Sequence, residues 1–118
     1  MPRSGKERVL DMLKEARFLE RSIVKLTREN FLNDEVWQRA FARSIEILGE
    51  AAKNVAEDSR SLSPEIPWKR IAGMRDRVIH DYAGVDLALV WEVATVHAPV
   101  LAQQLETLLN QIESQPPT

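Results

Sequence analysis

Apolar residues recur at steps of three and four along most of the chain, the spacing that gathers side chains on one face of an α-helix. Val9, Leu13, Ala16, Ile23 and Leu26 form one such stripe behind Ser4-x-x-Glu7, which has the form of a capping box, so a first helix is predicted through about residue 28. Trp37, Phe41, Ile45, Leu48, Ala52 and Val55 form the clearest stripe and predict a second helix, with Asn33 or Asp34 placed to cap it. Serines and two prolines between Ser59 and Pro67 break the pattern into a loop. Pro67 suits a helix start, and a third helix is predicted from there to about His80. Gly84 and Asp86 then supply a turn and a cap for a long fourth helix striped by Leu87, Val90, Ala94, Val100 or Leu101, Leu105, Leu108 and Ile112. Pro99 has no N–H to offer the Thr95 carbonyl, which forces a kink or a restart. A tail from Ser114 should fray. Alternating apolar and polar runs are missing, so the reading is all-α: one domain over 1–118, an antiparallel bundle of four to five helices with short links.

Composition narrows the chemistry. The 118 residues are enough for one core, and 44% hydrophobic with 29% charged residues is the balance of a chain that folds. Sixteen Lys and Arg against eighteen Asp and Glu leave a net charge of −2, so no global positive field draws in nucleic acid, and any such role is local. Without cysteine there is no disulfide, thiolate nucleophile or zinc ribbon. His80 and His97 lie too far apart for the short metal-ligand spacings, so no metal and no cofactor are expected. No stretch approaches the ~20 apolar residues needed to cross a bilayer, and a cytoplasmic protein is the expectation.

The informative segment runs from Trp68 to Tyr82. On a wheel of about 100° per residue measured from Trp68, Ile71, Val78, Ile79 and Ala72 fill an arc from about 280° through 0° to 40°, and Arg75 falls inside it at about 340°. An unpaired buried guanidinium costs several kcal/mol, so Arg75 calls for a carboxylate, a set of carbonyls or an incoming anion such as phosphate. Tyr82 projects beside it if the helix persists, and Asp76 and His80 form an i,i+4 pair in which the carboxylate orients the imidazole. Metal-free RNA cleavage needs these groups: a proton leaves the ribose 2′-hydroxyl, another reaches the 5′-oxygen, and the crowded phosphate needs cationic donors. One imidazole does not easily perform both transfers. A twofold dimer would supply two His80 and two Arg75 around one groove.

Arg75-x4-His80-x-Tyr82, preceded by Ile66-Pro67-Trp68-Lys69 and followed by Gly84-Val85-Asp86, resembles the HEPN ribonuclease superfamily, specifically the HepT-type toxins of the DUF86 group. Arg43-Ser44-Ile45-Glu46-Ile47-Leu48-Gly49-Glu50-Ala51 is similar to that group's arginine followed by an apolar-Gly-Glu-Ala segment, and the similarity spans about residues 6 to 113. The resemblance implies a helical homodimer and a metal-independent endoribonuclease of a toxin–antitoxin system, with Arg75 and His80 catalytic, leaving a cyclic phosphate and a 5′-hydroxyl. It also implies a partner, a minimal nucleotidyltransferase antitoxin similar to MntA, which transfers AMP from ATP onto the motif tyrosine, here Tyr82. An added phosphodiester there would place negative charge beside Arg75. Ala83 departs from the aromatic that many relatives carry after the tyrosine.

Plainer readings stand beside these. Arg75 alone would be a structural ion-pair residue, with Glu46 or Glu50 as partner. His80 alone would be a surface histidine at a helix terminus, where imidazolium complements the dipole. Lys69, Arg70 and Arg77 either line an RNA groove or form a solvated face. Asp76 supports His80, or satisfies Arg77 or a neighbouring subunit. His97, just before Pro99, reads as a core or kink histidine, and Trp37, Trp68 and Trp91 as core or dimer anchors. Two rival functions follow: a non-catalytic HEPN subunit that binds nucleotide or docks the transferase, and a plain dimerisation domain pinned by Arg75.

Overall fold

A computed structural model of the chain describes residues 4–80 and 84–115. Ser4 opens α1 (Gly5–Ile23) as its capping pattern predicts, its Oγ accepting a hydrogen bond from the Glu7 N–H at 3.1 Å. The helix ends five residues before the predicted boundary, because the Lys25 and Leu26 N–H groups turn back to the Ser22 and Ile23 carbonyls and Thr27 caps a new turn, α2 (Arg28–Leu32). Asp34, not Asn33, caps α3 (Glu35–Lys53), with Oδ1 accepting from the Val36 and Trp37 N–H groups. Within the expected loop stands a further single turn, α4 (Glu57–Ser61), and Arg60 bends back from it to donate to the Ala52 and Val55 carbonyls at the open end of α3.

α5 (Trp68–Val78) follows Pro67, whose carbonyl accepts from the Ile71 N–H. It stops short of His80. The Val78 carbonyl, which a continuing helix would give to residue 82, instead accepts from the Asp86 N–H at 2.7 Å. Ile79–His80 pairs antiparallel with Gly84–Val85, so a two-residue β-bridge, β1 with β2, stands where the sequence predicted helix and turn. Gly84 has φ +86°, the left-handed region glycine enters without a Cβ penalty.

Asp86 caps α6 (Leu87–Glu92), which runs into a π turn over Val93–His97 and then α7 (Ala98–Glu113). The predicted break at Pro99 takes this form: the Ala98 N–H reaches back five residues to the Val93 carbonyl. The extra residue re-phases the stripe, so Leu101 is buried and Val100, the alternative, is 59% exposed.

The core confirms the all-α reading. α1 packs on α3 and α7, and α3 packs on α5. The α1 stripe is Val9, Met12, Ala16 and Leu19, shifted slightly from the predicted set, while Phe41, Ile45, Leu48, Ala52 and Val55 of α3 are buried as expected. Phe41 is the aromatic hub, stacked on Phe31 and edge-on to Phe18 and Trp37, with Trp91 against Phe31. Trp68 is buried with its indole N–H on the Ser63 carbonyl. Trp68 thus belongs to the core, and Trp37 and Trp91 pack half-buried against it.

Candidate active site

The site begins where α5 crosses α3. Gly49 makes that crossing close: a Cβ there would lie 3.2 Å from the Ile71 carbonyl oxygen and 3.5 Å from that of Ala72, with the Arg75 Cβ at 3.9 Å. The stem of Arg75 thus starts against the α3 backbone. Its head reaches outward, and its Nε donates to Glu46 Oε2, one turn earlier on α3, at 3.3 Å.

Arg75 is therefore not buried in mid-stripe, as the sequence reading expected. Its side chain is 55% exposed and already holds the carboxylate named as its structural alternative, Glu46. The buried arc of α5 is made by Trp68, Ile71, Met74 and Val78, and Met74 draws its centre away from Ala72. Arg75 stands on the rim of that arc, where a long side chain keeps its stem on the protein and its charge in water.

Around it lies a pocket of about 410 Å³ between α1, α3 and α5, lined by Arg8, Asp11, Arg43, Glu46, Glu50 and Arg75. Three cations face three carboxylates, so the pocket carries no net charge in the free protein. Glu46 Oε2 is the shared point, with Arg43 Nη1 at 3.9 Å from it. Asp76 is 86% exposed and approaches Arg75 Nη1 at 3.8 Å, beyond hydrogen-bond range. Its predicted i,i+4 geometry with His80 is absent, because the helix ends at Val78. The His80 backbone pairs with Gly84, its side chain lies outside the described part of the structure, and Tyr82 lies outside the described residues.

Lys69, Arg70 and Arg77 are exposed, as either reading of them required. They do not join Arg75. Arg70 and Arg77 sit across α5 on a separate groove of about 610 Å³ shared with Glu92, Val96 and Val100. Lys69 borders a third hollow beside Arg60. His97 is exposed at the end of the π turn, so it is the kink histidine and not a core one. The residues missed by sequence reasoning are Arg8 and, as a member of the site, Arg43. The Arg43 signal was its i,i+3 spacing to Glu46, and Arg8 on a distant helix had none.

Arg75 can bring an oriented, solvent-accessible guanidinium to an anion, with a second cation one carboxylate away. Among the described residues no helix is long and apolar enough to cross a membrane. The family model described as ribonuclease HepT-like matches residues 12–108, a span that holds the whole segment from Trp68 to Tyr82. A protein of Thermococcus cleftensis named as a probable ribonuclease HepT is 39% identical over 92% of this chain and 98% of its own length. A protein of Caldanaerobacter subterraneus subsp. tengcongensis named as a putative RNase is 41% identical over 85% of this chain and 89% of its own. A third, from Methanocaldococcus jannaschii and also named as a putative RNase, is 41% identical over 72% of this chain and 70% of its own. No solved structure matches the chain. On the family match and on identities near two residues in five across almost the full length of such relatives, the chain belongs to the HepT-like ribonuclease family.

Proposed function

We propose that this protein is a metal-independent endoribonuclease, the toxin of a toxin–antitoxin pair, working as a homodimer with Arg75 and His80 as its catalytic pair. The observation that carries the reading is the outward guanidinium of Arg75, set by α3 and α5 inside the span matched by the ribonuclease family. The neutral imidazole of His80 takes the proton of a ribose 2′-hydroxyl, and the freed oxygen attacks the adjacent phosphorus. The bond from phosphorus to the 5′-oxygen breaks, and that oxygen takes a proton from the imidazolium of the second protomer. A cyclic phosphate and a 5′-hydroxyl remain. Arg75 holds the non-bridging oxygens through the charge build-up, the role for which a fixed cationic fork is suited.

Silencing follows from the same charge. A minimal nucleotidyltransferase similar to MntA transfers AMP from ATP onto the Tyr82 hydroxyl, forming a phosphodiester and releasing pyrophosphate. Seven residues from Arg75 along the chain, that phosphodiester competes for the guanidinium that substrate phosphate needs. Lys69, Arg70 and Arg77 guide RNA toward the dimer only as a peripheral surface, and Asp76 supports the motif from its exposed position.

Purified protein with RNA in EDTA tests the nuclease. Cleavage that persists under chelation and disappears in both Arg75→Ala and His80→Ala, with folding intact, is the expected result. No cleavage by the wild type turns the reading toward the non-catalytic nucleotide-binding subunit. For the modification, intact mass after incubation with the neighbouring transferase and ATP should show AMP on the wild type and none on Tyr82→Phe.

A further inference from the structure

Of the five N–H donors of the Arg75 guanidinium, the hydrogen bond to Glu46 uses one, the Nε–H. Glu46 takes the Nε–H from the side, at 3.3 Å, and Asp76 stands 3.8 Å from Nη1 on a largely exposed side chain. Because Glu46 takes the Nε–H, its hydrogen bond uses neither of the two terminal Nη groups, the fork that grips a phosphate in bidentate fashion, on a side chain that is half exposed. Glu46 itself is only 31% exposed and sits one turn before Gly49, where the helices come closest. Glu46 is thus the more covered member of the pair, while the guanidinium it holds is half in water.

We propose that Glu46 is the positioning residue for Arg75: by accepting the Nε–H, it fixes the plane of the guanidinium and presents the Nη fork to the phosphate of the RNA. This rests on the ribonuclease reading above. Arg43 approaches the same oxygen, its Nη1 at 3.9 Å, so Glu46 Oε2 is shared by two cations of the pocket. A carboxylate that blocked the site would instead engage the Nη pair end-on. Long side chains lose rotamer freedom when they bind, and an arginine already aligned loses less of it at the moment of reaction.

The test uses the full chain as Glu46→Ala and Glu46→Gln, since the glutamine Oε1 can still accept from Nε–H while the charge is gone. With isotope-labelled arginine, the Arg75 Nε–H resonance reports the brace directly. The expected result is a slowly exchanging Arg75 signal in the wild type and in Glu46→Gln, and rapid exchange with averaging in Glu46→Ala. Cleavage by Glu46→Ala should fall ~10- to 100-fold in kcat with KM within ~2-fold, and Glu46→Gln should recover most of it. An unchanged Arg75 signal in Glu46→Ala, or equal loss of activity in both variants, overturns the proposal. If wild-type protein cuts no RNA, the ribonuclease reading fails by itself, and the Arg75 resonance still decides whether Glu46 braces the guanidinium.

Discussion

Replacing Arg75 by alanine separates a catalytic arginine from a structural pin, because the structure sets the stability cost low. The ion pair with Glu46 involves a side chain 55% exposed, and exposed pairs contribute about 0.2–1 kcal/mol after solvent screening and side-chain entropy. The stem beside Gly49 adds part of the ~0.8 kcal/mol of a buried methylene, since only its base is covered. A total near 1 kcal/mol follows, or a fall of about 4 °C in Tm for a chain of this size. Loss of a charged donor from a phosphate transition state costs far more in rate, about 100- to 1,000-fold. Urea unfolding followed by circular dichroism, run beside cleavage of a labelled RNA in EDTA, measures both quantities on one preparation. A loss of 3 kcal/mol or more, with activity tracking the folded fraction, would refute the argument and mark Arg75 as a buried pin.

Gly49→Ala should destabilise by about 1–3 kcal/mol in the same urea assay, because its new methyl meets the Ile71 carbonyl at 3.2 Å and backbone cannot step aside. Phe41→Ala removes the ring that makes three aromatic contacts, with Phe18, Phe31 and Trp37, and should cost about 3–5 kcal/mol, enough to unfold a marginal domain at ordinary temperature. Asp86→Ala deletes the α6 cap that accepts from the Leu89 N–H at 3.1 Å, and a loss of about 1 kcal/mol is expected by thermal melting; Asp86→Asn should keep most of it.

Much of this molecule could be read before any coordinates. Ser4 and Asp86 cap the helices they were expected to cap, and Asp34 is the one of the two expected candidates that caps α3, since a side-chain oxygen meeting an N–H two or three residues on is a local event. The α3 stripe landed on the core because a 3.6-residue period needs no partner to be visible. Pro99 announced a break for the same local reason, although the pattern did not give its form, a π turn over Val93–His97. The motif words around Arg75 and His80 pointed to the ribonuclease family that the chain proves to belong to.

Other features were set only when helices met. Whether Arg75 was buried turned on the centre of the α5 arc, and Met74 moved that centre by packing where the pattern alone favoured Ala72. The end of α5 at Val78 was decided by Asp86, eight residues on, whose N–H captured the carbonyl the helix needed. The separation of Arg70 and Arg77 from Arg75 follows from that same helix having α3 on one side and the α6–α7 arm on the other. Periodicity and caps are properties of a few neighbouring residues, so the chain alone determined where helices would run and which face would be apolar. The partner of a given charge depends on distances between segments far apart in sequence, and those exist only after the backbone has closed at Gly49.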